Sequence, residues 1–344
     1  MKKKSLTVKN KIHNDIIIHL ENKKILKVFK EFSFSMKNTK KIAVAISGGP
    51  DSLSLAFLTK CFSIKKNLDV KYYIVDHKLR KGSTIEATKV VQKLKSIDIN
   101  CKILTWIGKK PKSNIQSIAR NKRYSLLGRE CKKNKIEYLL LGHHINDLYE
   151  NFFIRLSRGS GLKGLTSFGK IADFKIYNVN LLRPLINLEK KDLIYISKKV
   201  FNFYIDDPSN VNQDFKRVRI RNLMKSLEKE GLDKKKIKLT INNLKDSDQT
   251  INFYILQSIE KNSTFDVSNN RYLVKSIFFQ QPHEIVFRSL SILIKTIGKN
   301  YYPVRGKSID HLIFKIKSMQ LIKMTLGGCY IEKINETFII SKEK

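Results

Sequence analysis

The string Ser47-Gly48-Gly49-Pro50-Asp51-Ser52 follows the apolar run Ile42-Ala43-Val44-Ala45-Ile46 and opens a helical segment at Leu53. A glycine-rich turn between strand and helix lets an anion approach backbone amides that carry partial positive charge. Ser47 and Ser52 add hydroxyl donors. Asp51 suits such a place only with a cation between it and the anion, and Mg²⁺ is how carboxylates usually meet nucleotide oxygens. The bland alternative is a tight turn capped by Asp51 or Ser52. Asp147 and Glu150, three apart on a helical stretch, project to one face, where they would hold an ammonium group, share a metal, or merely stabilise a helix start. His143-His144 lie just before them. Asp76-His77 ends another apolar run, a site position by topology, although a lone histidine also serves as a structural donor. Arg120 and Arg123 share a helix face and either clamp phosphate or form an exposed basic surface.

These residues need a scaffold, and the chain supplies one. Short apolar runs at Ile42–Ile46, Tyr72–Val75, Lys102–Trp106 and Tyr138–Leu141 alternate with helical segments at Ser52–Cys61, Thr84–Ile97 and Ile115–Lys133. That alternation predicts an α/β fold with a parallel sheet and helices on both faces, because parallel strands need crossover connections. Ligands then sit at the C-terminal ends of the strands. A further helix is expected at Lys190–Lys199, then an Asp- and Asn-rich loop from Asp206 to Asp214 and a basic helix from about Lys216. The expected organisation is an N-terminal extension over 1–38, a catalytic domain over 39–227 and a basic region over 228–344. The last reads as mainly helical to about Ile297, with a closing β hairpin over Met324–Glu332 and Thr337–Ile340.

The 344 residues carry 68 Lys+Arg against 30 Asp+Glu, a net charge of +38, which makes a polyanion such as nucleic acid the expected partner. Compositional drift toward lysine is the other source of such charge. Arg158-Gly159-Ser160-Gly161-Leu162-Lys163-Gly164 suits a loop that closes on phosphate or an RNA backbone, or a plain interhelical turn. Arg217, Arg219 and Arg221 alternate with apolar residues and suit RNA contact or a solvated face. Cys61, Cys101, Cys131 and Cys329 lie far apart, without the paired spacing of a zinc or iron–sulfur site, and suit a reduced cytoplasm. No apolar stretch approaches the roughly 20 residues that span a bilayer, and the basic start Met1-Lys2-Lys3-Lys4 lacks the apolar run of a signal peptide.

The loop Ser47–Ser52 resembles the PP-loop of the AMP-releasing ATP pyrophosphatases and differs from the Walker loop GxxxxGKS/T. Several further strings, in order, resemble the tRNA(Ile)-lysidine synthase family within that superfamily. They are Val75-Asp76-His77-Lys78-Leu79-Arg80, Ala119-Arg120-Asn121-Lys122-Arg123-Tyr124, Gly142-His143-His144-Ile145-Asn146-Asp147-Leu148-Tyr149-Glu150-Asn151, Arg158–Leu165, Arg183-Pro184-Leu185, Asp206-Asp207-Pro208-Ser209-Asn210 and Phe215 with Arg217-Val218-Arg219-Ile220-Arg221. The resemblance spans roughly Ile42 to Arg221. It departs from the family pattern at Asn146, Leu148, Asn151 and Val218, where the family usually has Asp, Gln, Thr and Asn.

The resemblance implies that ATP binds at Ser47, Gly48, Gly49, Pro50, Asp51 and Ser52 with Asp76 and His77, and that Mg²⁺ is held by Asp51 and Asp147. It implies L-lysine on Asp147 and Glu150, and catalytic roles for Asp51, Asp147, Arg120, Arg123 and His143. tRNA contacts are expected from Arg158, Lys163, Arg217, Arg219 and Arg221. The implied reaction attaches lysine to C2 of cytidine 34 in the CAU anticodon of tRNA(Ile), through an adenylylated cytidine, changing codon reading from AUG to AUA. A tRNA thiolase of the same superfamily would need paired cysteines, which are not visible. A non-catalytic RNA-binding protein would have no need of Asp51, Asp147 and Glu150.

Overall fold

Strand β1 (Lys41–Ile46) shows why a layered sheet forms: Ile42, Val44 and Ile46 enter one apolar cluster and Ala43 the other, as the two-residue period of a strand requires. The computed structural model describes residues 12–36, 41–80, 82–109, 111, 113–206, 212–299 and 304–343. Residues 1–11 and 37–38 of the expected extension, and 207–210 of the Asp206–Asn210 string, lie outside the described residues.

The sheet contains β1, β2 (Asp69–Asp76), β3 (Cys101–Thr105), β4 (Tyr138–Leu140), β5 (Ile171–Phe174) and β6 (Val179–Leu182), in the order β3-β2-β1-β4-β6-β5. All neighbours are parallel except β5 and β6, an antiparallel edge pair absent from the sequence expectation. One face is covered by α1 (Lys23–Ser35), α2 (Pro50–Lys66), α3 (Ser83–Lys95) and, further on, Lys190–Phe201. The other packs on α4 (Ile115–Lys133) through Leu127 and Cys131. The N-terminal segment thus has a structural task. Ile25, Val28, Phe29 and Phe32 of α1 are all buried, at the spacing of one helix face, and each such burial is worth roughly 1.5–3 kcal/mol. Asn22 caps this helix by accepting from the Lys24 and Ile25 amides at 3.1 and 3.2 Å.

Beyond β4 come α5 (Ile145–Leu156), α6 (Leu162–Thr166), α7 (Lys190–Phe201), α8 (Lys216–Lys229) and α9 (Lys234–Asn262). The chain separates into units Met1–Ile241 and Asn242–Lys344, so the division falls inside α9, beyond the Leu227 boundary drawn from sequence. Ile237 and Ile241 pack with Ile145, Leu148 and Ile220, which ties the start of α9 to the first unit.

In the second unit the closing hairpin belongs to a five-stranded antiparallel sheet. Its strands are β7 (Ser263–Asp266), β8 (Arg271–Lys275), β9 (Lys323–Leu326), β10 (Cys329–Ile334) and β11 (Thr337–Lys342), in the order β7-β8-β11-β10-β9. Helices α10 (His283–Gly298) and α11 (Gly306–Lys317) complete its core. The first two strands lie where a helical reading was expected. Asp266 shapes the turn between them: it accepts from the Asn269 amide at 3.2 Å and from Asn269 Nδ2 and Arg271 Nε at 2.8 Å, and Asn270 takes a left-handed φ of 47°. Among the described residues no helix is long and apolar enough to cross a membrane.

Candidate active site

The C-terminal ends of five strands converge on one edge of the first sheet: Ser47 follows β1, His77 follows β2, Trp106 follows β3, Gly142 follows β4 and Arg183 follows β6. Strand order reverses between β1 and its neighbours β2 and β4, which is where an open α/β sheet forms its crevice. The loops after β1 and β4 meet there. A Cβ on Gly142 would lie 3.2 Å from the Ser52 nitrogen, tight enough that a larger residue would push the two loops slightly apart.

Within the anion loop, Ser52 is a shaping residue. Its hydroxyl donates to the Gly49 carbonyl at 3.0 Å and accepts from the Ser47 amide at 3.1 Å and the Ser47 hydroxyl at 3.2 Å. Gly49 and Pro50 then start α2, with Pro50 where a missing N–H costs nothing. Gly48 has φ 85°, its carbonyl accepts from the Ile205 amide at 2.9 Å, and a Cβ there would come within 2.8 Å of Val90 and Ile205 side-chain carbons. Gly48→Ala is therefore expected to destabilise the protein by about 1–3 kcal/mol, from left-handed strain and overpacking. Thermal denaturation reads this as a Tm lower by several degrees, and an unchanged Tm would contradict the loop geometry.

Asp51 sits in the first turn of α2, and its Oδ1 is buried with no hydrogen-bond partner. Burial raises its carboxyl above the usual range; His144 and Lys190 oppose this, and the like charge of Asp147 adds to it. His144 is the link between the two acids: its Nε2 is 3.6 Å from Asp51 Oδ2 and 3.6 Å from Asp147 Oδ2, electrostatic contacts beyond hydrogen-bond length. The ring is fixed as the N-cap of α5. Its Nδ1 accepts from the Asn146 amide at 3.2 Å, while its own amide donates to Asp147 Oδ2 at 2.9 Å. For Asp147, burial acts to raise the carboxyl, but His144, His143, the His144 amide and Arg217 outweigh it and leave a net lowering.

Glu150 is 3% exposed, and its Oε1 accepts from Arg221 Nε at 2.6 Å. Its Oε2 has no hydrogen-bond partner, and Arg217 Nη1 lies 4.0 Å from it and 3.5 Å from Asp147 Oδ1. Residues 217 and 221 share one face of α8, four apart, and that face meets α5. Arg219 points elsewhere and donates to the Gln213 and Asp214 carbonyls at 2.9 and 2.8 Å. The three arginines expected together on RNA are thus separated: two enter the crevice and one staples a loop.

Asp76 is also redirected. It is 2% exposed and accepts from the Lys78 amide at 3.0 Å, Ser83 Oγ at 2.8 Å and Thr84 Oγ1 at 2.6 Å. Burial would raise its carboxyl, yet these bonds hold it below the usual range, so it organises the β2–α3 turn. His77 meets the Trp106 ring edge-on at 6.2 Å. Arg123 is half-buried; burial lowers its proton affinity, and Arg120 and Arg217 add to this. Among the described residues no carboxylate pairs with Arg120 or Arg123; the Arg120 guanidinium is exposed and lies 5.0 Å from the centroid of the Tyr124 ring. Arg158 is exposed on the turn between α5 and α6, where Gly159 has φ 67°, and Lys163 is exposed in the first turn of α6. His143 is pushed down to about 3 by burial, with Arg183, Arg120 and Arg217 adding to the effect against Asp147. The sequence pairs His144 with His143 and places Arg183 in a family-like string without giving either a site role, and packing then sets His144 between Asp51 and Asp147 and Arg183 against His143; Lys190, whose charge acts on Asp51, carries no signal in the sequence.

A family described as the PP-loop domain matches residues 19–227. The tRNA(Ile)-lysidine synthase of Orientia tsutsugamushi is 34% identical over 310 residues, covering 88% of this chain and 70% of the relative. That of Wolbachia pipientis wMel is 33% identical over 309 residues, with the same shares. The chain belongs to the tRNA(Ile)-lysidine synthase family.

It is accordingly an enzyme of the PP-loop ATP pyrophosphatase type. A U34-tRNA thiolase from Methanococcus maripaludis shares its fold, with a TM-score of 0.53 at 18% identity over 65% of this chain and 78% of that one. The structure also accounts for departures from the synthase pattern. Leu148 and Val218 are 5% and 7% exposed, packed where apolar side chains fit, and Asn151 Oδ1 accepts from Arg155 Nε at 2.9 Å. All four cysteines of this synthase-family chain are buried and free, with Cys61, Cys101 and Cys131 thiols pushed up to about 12 by burial.

Proposed function

We propose that the chain joins L-lysine to C2 of cytidine 34 in the CAU anticodon of tRNA(Ile), in two steps in one crevice, the first of which consumes ATP. The reading is carried by one observation: two carboxylates, the half-buried Asp51 beside the anion loop and the buried Glu150 on α5, each keep one buried oxygen without a hydrogen-bond partner. Buried acceptors are normally satisfied, so each is a place for a cation. Mg²⁺ fits the first and the lysine ammonium the second.

In the first step the loop amides and the unneutralised Arg120 and Arg123 hold the ATP phosphates, while the cytosine C2 oxygen attacks the α-phosphorus and pyrophosphate leaves. Mg²⁺, when bound, neutralises phosphate charge. Asp51 offers it an open oxygen, whereas Asp147 Oδ2 is committed to capping α5, leaving Oδ1. In the second step Asp147 and Glu150 orient the lysine ε-amine, which must lose a proton before it attacks C2 and expels AMP. The neutral His143 can donate a hydrogen bond to the nucleotide without adding charge.

The target base is reached in an anticodon loop, where unstacking is cheap. Lys and Arg are in greatest excess over acids within residues 1–241, so the catalytic unit supplies much of the attraction for tRNA. Arg158, Lys163 and the region 228–344 are proposed to add contacts, and the cytoplasm is the compartment that supplies tRNA, ATP and lysine together. The test is pyrophosphate release with mass analysis of the tRNA nucleosides. Release that requires the CAU tRNA, with lysine appearing in the nucleoside, is expected. ATP turnover indifferent to the tRNA, or a sulfur-bearing product, would replace this reading.

A further inference from the structure

Arg183, the first residue beyond β6, is 6% exposed, and the two-step reaction gives it no task. A buried arginine kept for stability alone is expected against a carboxylate, since an unpaired buried charge is costly. Among the described residues no carboxylate lies within ion-pair distance of Arg183. Instead its Nε donates to His143 Nδ1 at 3.3 Å, and its Nη1 donates to the Gly169 carbonyl at 2.8 Å. Its guanidinium lies 4.6 Å from the centroid of the Phe168 ring, and His143 meets that same ring edge-on at 5.4 Å. The Arg183 amide also donates to the Lys170 carbonyl at 2.8 Å.

A guanidinium has five N–H donors and no acceptor, so the bond to His143 runs one way. Nδ1 of His143 must then present its lone pair, and a neutral ring carries its only proton on Nε2. We propose that Arg183 is a positioning residue: it locks His143 as the Nε2–H tautomer and ties that ring to Phe168-Gly169-Lys170, the end of the segment that begins with the Arg158–Gly164 turn. Phe168 is the shared wall, since the guanidinium covers its face while the imidazole abuts it. The charged groups that act on His143 are Asp147 on α5, Arg120 on α4, Arg217 on α8 and Arg183 itself. Three of the four disfavour an imidazolium. A fixed neutral donor is what the nucleotide-binding role requires, and in that respect the inference rests on the proposed reaction. Partners that orient a histidine through its second nitrogen commonly change activity by about 10- to 100-fold when removed.

The test uses the full chain with ¹⁵N-labelled imidazoles, the His143 signal being assigned by its loss in His143→Gln. His143 is expected as the Nε2–H tautomer from about pH 6 to pH 8. Arg183→Met, close in volume, should mix the tautomers and lower kcat about 10- to 100-fold with little change in the KM for ATP. Arg183→Lys, which restores one donor, should recover part of both. An Nδ1–H tautomer in the unmodified protein overturns the proposal, as does a folded Arg183→Met protein that keeps both tautomer and kcat. If Arg183→Met does not fold, the tautomer of the unmodified protein decides by itself. Failure of tRNA-dependent pyrophosphate release would instead remove the proposed reaction while leaving the tautomer result standing.

Discussion

Asp51→Asn is expected to lower pyrophosphate release by a factor on the order of 10²–10³ or more, with the Tm equal to or above that of the unmodified protein. Both halves follow from the same carboxylate. Burial, the larger influence, raises the Asp51 carboxyl, and the attraction of His144 and Lys190 only partly compensates. A folded-state value above the unfolded one means that the folded protein binds this proton more tightly. Stability is therefore lost as pH rises from the unfolded value through the folded one, and at neutral pH the ionised Asp51 costs stability. Asparagine keeps the shape and removes that cost. It also removes the charge that Mg²⁺ and the triphosphate need at the start of α2. Loss of turnover with a retained or raised Tm separates a site effect from misfolding, and tRNA affinity should stay near that of the unmodified chain. Undiminished pyrophosphate release from the Asp51→Asn protein would remove Asp51 from the site.

The same trade of stability for function marks where the sequence was readable. The parallel strands and the helices between them are visible because buried strands are nearly continuous apolar runs and their connecting helices are long. The β5–β6 edge pair and the β7–β8 hairpin were missed: each strand has only four or five residues, with no clean alternation, and their turns depend on Asn178 and Asn270 adopting left-handed backbone. At the site, spacing correctly placed Asp147 and Glu150 on one helical face. It could not say that this face would meet α8, because helical periodicity tells which residues lie together and not what they lie against. Thus Arg217 and Arg221, expected on RNA or on a solvated face, stand beside Asp147 and Glu150, a contact that spacing along the chain does not reveal. Asp76, expected at the nucleotide, takes hydrogen bonds from Ser83 and Thr84, seven and eight residues on, which spacing likewise does not reveal.

Glu150→Gln should divide the two chemical steps. Glutamine retains an oxygen for the 2.6 Å bond from Arg221 and nearly the same volume, so the replacement avoids the 3–5 kcal/mol that typically follows when one partner of a buried ion pair is deleted. What it loses is the negative charge at the oxygen that has no hydrogen-bond partner. Arg217 is the looser of the two guanidiniums, half-exposed and no nearer than 3.5 Å to either acid, so an entering ammonium displaces it more easily than Arg221. A charged hydrogen bond of this kind is worth about 1.5–3 kcal/mol. The KM for lysine should accordingly rise about 10- to 100-fold, while adenylylation of the tRNA, which uses Asp51 and the anion loop, changes by less than a few-fold. Adenylylated tRNA should then accumulate at limiting lysine and be converted to product at high lysine. The measurement is a time course of pyrophosphate, AMP and lysine-bearing nucleoside on one sample. Pyrophosphate running ahead of AMP is the expected signature. If all three rise together at the unmodified rate and lysine dependence, Glu150 does not hold the amine, and the orphaned oxygen on α5 belongs to the arginines of α8 alone.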